Sequence, residues 1–224
     1  MHRHDSTCEC GLRYRLGCPE NEANHAKLHE KYELGPVIPK VCTVPILTKI
    51  GNLSVHVVDA SVPTDVREDI AYVAMVAARS MPEYPASYYG IITEDDPSLY
   101  VLATGNRTVG FVLTAFDKSF WSLSWKADST IELLEDEPLR RQGLKVGRVW
   151  IAANYRRKGL VTQLVEVAAQ HLSVKVSNLG WELPFTASGC EFVRRISPHM
   201  FLGCGDQFVL RKSLKPRHPQ QNGT

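Results

Sequence analysis

Arg156-Arg157-Lys158-Gly159 stands between a β-forming run and a run with helical periodicity. That order places basic side chains and a glycine at a helix start, where unpaired backbone N–H groups carry partial positive charge. The chemistry of such a turn is anion binding, above all of a pyrophosphate. Gly159 lets a phosphate approach the main chain closely, and the neighbouring cations add attraction. An ordinary basic turn opening a surface helix carries the same residue types, and residues 156–161 alone do not separate the two readings. A second cluster lies near the N-terminus. His25 and His29 are spaced i and i+4, so both imidazoles share one helical face and can reach one ion. Fourteen residues separate His25 from Cys10, a loop suited to a Cys₂His₂ zinc site. Cys10, His25 and His29 need a fourth ligand, and both Cys8 and Cys18 are candidates. A bare arm with reduced thiols is the alternative.

Other side chains of chemical interest lack a pattern. His56, His171 and His199 show no ligand spacing. Cys42, Cys190 and Cys204 have no His/Asp arrangement that would make one of them a nucleophile. The three cysteines and two histidines crowded near the N-terminus, with a polar Met1–Thr7 and no apolar signal core, favour metal binding over disulfides.

These residues need a scaffold, and the composition supplies one. The 224 residues are 44% hydrophobic and 22% charged, values of a globular domain of about 150–180 residues with an appendage. A net charge of +2 is too mild to argue nucleic-acid binding by charge, and no run of apolar residues is long enough to span a membrane.

The expected order of elements follows from periodicity and punctuation. A finger occupies residues 1–36, ending at Gly35-Pro36, and 37–50, with Pro39 and Pro45, reads as an extended linker. Leu53–Val58 reads as a strand. A helix opens at Thr64 and is limited by Pro82, with Val66, Ile70, Val73, Ala74, Ala77 and Met81 on one face. Residues 82–98 read as loop. Leu99–Ala103 and Thr108–Phe116 are two strands joined by the hairpin signal Thr104-Gly105-Asn106-Arg107. Residues 117–145 read as polar and irregular. Lys145–Ala152 is a strand, followed by a helix with Leu160, Val161, Leu164, Val165, Ala168 and Leu172 on its apolar face. Trp181–Phe185, Gly189–Ile196 and Gln207–Leu210 then read as strand, helix and strand. The globular domain spans 51–214, and 215–224 is a disordered tail.

Arg156-Arg157-Lys158-Gly159-Leu160-Val161 resembles the Arg/Gln-x-x-Gly-x-Gly/Ala signature of GNAT acetyltransferases, with Val161 at the sixth position. Arg148-Val149-Trp150-Ile151 just before it resembles the core motif of the sister-chromatid cohesion N-acetyltransferases of the Eco/ESCO type. So do Thr186-Ala187-Ser188-Gly189-Cys190-Glu191-Phe192, Gly203-Cys204-Gly205-Asp206-Gln207-Phe208, and a finger of the pattern Cys-Gly then His-x-x-x-His. Here that finger opens with Cys-x-Cys rather than Cys-x-x-Cys. The resemblance covers nearly residues 7–212.

The resemblance implies an α+β fold, a GNAT-like mixed sheet flanked by helices, with a small zinc finger ahead of it. It implies acetyl-CoA as co-substrate, contacted by Val149, Trp150 and Ile151, by Arg157, Lys158, Gly159, Leu160, Val161 and Thr162, and by Phe185 and Thr186. It implies Zn²⁺ on Cys8, Cys10, His25 and His29, and Glu166 as the catalytic residue on the acceptor side. Pro184 stands where many members carry Asp or Gln, and Phe185 where they carry Pro. A lysine amine, with a solution pKa of about 10.4, must lose a proton before attacking a thioester, so such a polar group matters. The implied substrate is the ATPase head of cohesin's SMC subunit, in the nucleus, with chromatin-associated cohesin regulators as further partners. An acetyltransferase for another protein or a small amine, and a non-catalytic chromatin adaptor with this fold, are the alternative expectations.

Overall fold

The computed structural model describes residues 5–78, 97–128, 130–140, 142–183 and 186–204. The chain opens with a short hairpin, β1 (Asp5–Thr7) and β2 (Arg13–Arg15), paired antiparallel. Pro19 then starts helix α1 (Pro19–Leu34), where its fixed φ suits the first turn and its missing N–H costs nothing. This is the expected finger, with both histidines on α1.

Residues 37–50, expected as a linker, belong to the main body. Ile38, Val41 and Val44 are buried, and a 3-10 turn over Pro39–Thr43 leads into β3 (Ile46–Ile50), the edge strand of the large sheet. Four of the five residues of β3 are exposed, so it lacks the alternation that announces a strand, and Pro45 sits just ahead of it, where proline is tolerated.

Beyond β3 the sheet contains β4 (Leu53–Val58), β5 (Ser98–Thr104), β6 (Arg107–Asp117), β7 (Trp121–Trp125), β8 (Ile131–Leu133), β9 (Gly143–Ile151), β10 (Gly180–Glu182) and β11 (Met200–Cys204). Their order is β3-β4-β5-β6-β9-β10-β11-β7-β8. Pairing is antiparallel from β3 through β9, parallel for β9-β10 and β10-β11, and antiparallel again out to β8. Each parallel step needs a crossover, and a helix supplies each: α3 (Leu160–His171) and α4 (Ala187–Ile196). Helix α2 (Thr64–Ala78) lies between β4 and β5 in sequence.

Two strands correct the expectation of an irregular 117–145. Trp-Ser-Leu-Ser-Trp is a period-two pattern and forms β7, while three-residue β8 is too short to read. Strand β11 was also unexpected. Its glycine matters for packing, since any side chain at Gly203 would meet Leu123 and Leu183. The strand expected over Gln207–Leu210 and the tail lie outside the described residues, as do Met81, Pro82 and the side chains of Val73, Ala74 and Ala77.

The sheet buries both faces. On one, Leu164, Val165, Ala168 and Ala169 of α3 and Val193 of α4 pack with Tyr100, Leu102, Val112, Val146, Ile151 and Trp181. On the other, Ile70 of α2 and the 38–44 segment cover Leu99, Val101, Phe111, Leu113 and Trp150. The result is a GNAT-like mixed sheet flanked by helices. No helix among the described residues is long and apolar enough to cross a membrane.

Helix α3 carries the basic turn at its start, so its seating decides the site. Leu164 is fully buried, whereas Glu166 is exposed. Leu164→Ala is therefore expected to cost about 2–5 kcal/mol in denaturant unfolding, and Glu166→Gln no more than about 0.5 kcal/mol.

Candidate functional site

Among the described residues, strand β9 pairs with β10 only through Lys145↔Gly180 and Val146↔Trp181. Past that point Gly147 is a bulge, because the register against β6 shifts from Val146↔Thr114 to Arg148↔Leu113. The end of β9, Val149-Trp150-Ile151, then keeps β6 on one side and faces a cleft on the other. A bulge adds local twist and re-aims the strand, which helps β9 part from β10.

The cleft measures about 560 Å³. Its floor is Val149, Trp150 and Ile151. One wall is the turn from Tyr155 through Arg156, Arg157 and Gly159 to Leu160, Val161 and Thr162, and the other is the start of α4, including Thr186, Ser188 and Glu191. The turn is built for an anion. Arg157 (φ 60) and Gly159 (φ 73) are both left-handed, a curl of the kind that forms concave N–H nests. Gly159, which has no side chain, is the N-cap of α3, so among the described residues no side chain caps the helix there and its first N–H groups are left for another acceptor. A Cβ on Gly159 would meet only the Gln163 side chain, at 3.7 Å, within the protein, so the glycine leaves space above the turn rather than filling a packing need.

Of the expected acetyl-CoA contacts, Val149, Trp150, Ile151, Arg157, Gly159, Leu160, Val161, Thr162 and Thr186 line this one cleft. Lys158 does not. Its ammonium lies 5.4 Å from the centre of the Tyr155 ring. Phe185, with Pro184, lies outside the described residues. Trp150 is 4% exposed and stacks on Phe111, so its indole belongs to the core, and a ligand along β9 would meet its main chain. Thr186 caps α4 by accepting a hydrogen bond from the Gly189 N–H.

Glu166 is not brought into the cleft. Helix α3 points its N-terminus at the cleft and runs away from it. Six residues beyond Leu160, at about 1.5 Å each, place Glu166 roughly 9 Å further along, on the exposed side. Among the described residues, the carboxylate the structure does set in the cleft is Glu191, on α4. Arg156, part of the expected basic turn, lines the cleft as well, and Tyr32, Tyr155 and Arg195 are cleft residues that sequence reasoning missed. Tyr32 comes from the finger helix, and no local pattern marks it.

A second polar group lies where β9 and β10 part. Lys145 bridges Asp117 at 3.2 Å and Glu182 at 3.6 Å. Burial works against its charge, but Glu182, Cys204 and Asp117 outweigh that and hold its pKa above the ordinary lysine value. Burial pushes the Cys204 thiol up to about 12, against the pull of Lys145, so it stays protonated at neutral pH and is no nucleophile. His56 and His171 are structural, bonded to the Val44 carbonyl and to the Tyr100 hydroxyl group.

In the finger, Cys8, Cys10, His25 and His29 bring their ligand atoms within 4.8 Å of one another. The Cys-x-Cys knuckle closes because Gly11 is left-handed (φ 81), with its N–H on the Cys8 carbonyl and the Cys8 N–H on the Leu12 carbonyl. Cys18 instead stands at the N-cap position of α1, where its sulfur accepts from the Asn21 side chain. The donor set fits a zinc ion. His25 Nε2 is buried without a hydrogen-bond partner, and Tyr14 stacks on that ring at 3.8 Å. His29 Nδ1 lies 3.4 Å from Cys8 Sγ, while its Nε2 is held by Glu33 at 3.3 Å, as carboxylates orient metal-bound histidines. Burial, and then the facing Cys8 thiol, raise the Cys10 pKa, a conflict that a divalent cation would relieve.

Residues 67–176 match the model of the acetyltransferase (GNAT) family. Two solved structures of the xEco2 acetyltransferase domain resemble this chain. The domain bound to a K105-CoA conjugate is 14% identical, with a TM-score of 0.59, covering 71% of this chain and 96% of that one. The domain on its own is also 14% identical, with a TM-score of 0.56, covering 71% and 95%. At that identity the likeness is one of fold. No curated protein matches the sequence.

Two outcomes test the site. Replacing Arg157 and Gly159 together by Glu puts negative charge and bulk against the diphosphate, and calorimetry is expected to show acetyl-CoA affinity falling by about 10-fold or more. Unchanged affinity removes the turn from the site. Metal analysis of protein purified without chelator is expected to find one zinc per chain, lost in Cys10→Ser and kept in Cys18→Ser.

Proposed function

We propose that this acetyl-CoA-dependent N-acetyltransferase transfers the acetyl group to protein lysine, on the ATPase head of cohesin's SMC subunit. The observation that carries the reading is the cleft, in which the open side of β9 and the left-handed turn before α3 meet. Along β9 the co-substrate's pantetheine arm would lie beside unpaired strand backbone. The turn at 157–162 would hold its diphosphate on N–H groups and Arg157. The thioester would then lie toward the bulge at Gly147, where the strands part.

The acceptor amine attacks the thioester carbonyl and the C–S bond breaks, leaving CoA thiol and an amide. Strand N–H groups are suitable donors for the tetrahedral oxyanion. Glu182 and Asp117 lie on the side of the sheet opposite α3, beside Lys145, and provide negative charge near that vertex for an incoming cationic side chain. Support for cohesin as the target comes from the motifs Arg148-Val149-Trp150-Ile151 and Gly203-Cys204-Gly205-Asp206-Gln207-Phe208, from a Cys/His finger ahead of the domain, and from the fold likeness to xEco2. This reading puts the protein at chromatin in the nucleus, with cohesin regulators as further partners.

The test is incubation with acetyl-CoA and purified SMC heads, with acetylated lysines mapped by mass spectrometry. Modification of head lysines, absent without acetyl-CoA, is the expected outcome. Transfer to other proteins or small amines but not to the heads would keep the enzyme class and overturn the substrate. Tight acetyl-CoA binding with no transfer would favour the adaptor.

A further inference from the structure

The wall of the cleft nearest the N-terminus belongs to the finger. Tyr32 lines the cleft beside Arg156, Gly159 and Leu160, although it lies on α1, more than a hundred residues away in sequence. Its hydroxyl accepts a hydrogen bond from Arg156 Nη1 at 2.9 Å, and its ring lies 4.8 Å from the guanidinium carbon. Arg156 is held from the other side too, since its Nε donates to the Ile151 carbonyl at 2.9 Å. A long, flexible cation is thus fixed at three points at the mouth of the phosphate turn.

The helix that brings Tyr32 here is itself fastened to the sheet. Gly35 (φ 85) ends α1 so close to β6 that a Cβ there would overlap the Thr108 carbonyl. Arg107 donates to the Gly35 carbonyl at 2.6 Å and to Glu30 at 3.0 Å, and the Thr108 N–H donates to the Pro36 carbonyl. On the finger side, the His29 ring stacks on Tyr32 at 6.2 Å. The finger helix is therefore not a free appendage where it meets the cleft.

We propose that the finger is part of the acetyl-CoA site, with Tyr32 a positioning residue that holds the Arg156 guanidinium toward the phosphates of the co-substrate. Holding Arg156 in place before binding removes the ordering cost of a rotamer-rich side chain, which is how preorganisation adds affinity. Tyr32 acts through Arg156, so its contribution depends on both the arginine and a phosphate-bearing ligand. This rests on the acetyl-CoA reading of the cleft.

The test is a double-mutant cycle on the full chain, with acetyl-CoA affinity measured by calorimetry and turnover followed with acetyl-CoA and with acetyl-pantetheine, which lacks the phosphates. Tyr32→Ala is expected to weaken acetyl-CoA about 10-fold, and Tyr32→Phe, which keeps the ring and its packing, about 3-fold. Both changes should raise KM for acetyl-CoA with kcat unmoved, leave acetyl-pantetheine kinetics alone, and have little further effect in an Arg156→Gln background. Equal losses with acetyl-pantetheine, or full losses in the Arg156→Gln background, would overturn the proposal in favour of a merely structural Tyr32. Wild-type affinity in both variants would overturn it as well. If the wild-type protein bound no acetyl-CoA, the reading of the cleft would fall first, and this inference with it.

Discussion

Among the described residues, Val146 and Trp181 are the last at which the two central parallel strands pair, and the parting of those strands beyond them is the constraint on which the rest of the molecule turns. A β-strand offers donors and acceptors on both edges, and buried ones must be satisfied. Here β6 satisfies one edge of β9 as far as Ile151, while the other opens into the cleft. The bulge at Gly147 helps to set where the opening begins. Helix α3, packed by Leu164, Val165, Ala168 and Ala169, brings its uncapped N-terminus to the far end of the same opening. Strand edge and helix start each bind weakly alone. Placed at two ends of one cleft, they match a ligand with an amide-bearing arm and a diphosphate.

Around that opening the fold excludes competing chemistry by burial. Cys204, the buried cysteine nearest the sheet centre, is held protonated. Lys145 is charged and occupied by Asp117 and Glu182. Among the described residues, Glu166 is turned to solvent on α3, Glu191 lies in the cleft, and Glu182 and Asp117 flank Lys145 on the other side of the sheet.

The finger solves a different problem with similar means. A hairpin of three-residue strands and one helix buries too little apolar surface to stand alone, and α1 has no fully buried residue. Four converging Cys and His side chains give it a centre, and Arg107, Glu30 and Gly35 tie its helix to β6. The small unit is thus shared between the Cys/His cluster at one end and the wall of the cleft at the other, with His29 and Tyr32 one helical turn apart.

Features carried by local periodicity and spacing were legible in the sequence. Strands β4, β5, β6 and β9 and helices α3 and α4 stand within two residues of their expected ends, the histidine pair falls in a Cys/His cluster, and the glycine falls in a left-handed turn at the start of α3. The choice between Cys8 and Cys18 was not legible, because it depends on how Gly11 folds the knuckle back. Four strands of the large sheet were missed: β3 is exposed, β8 is short, β11 is broken by a glycine that only its neighbours explain, and β7 is a five-residue run within a polar stretch. The sequence determined which residues could do chemistry, since residue type and short-range geometry travel with the chain. Tertiary structure alone decided which of them meet, because pairing across more than a hundred residues leaves no local trace. It set Glu166 outside the cleft and Tyr32 within it.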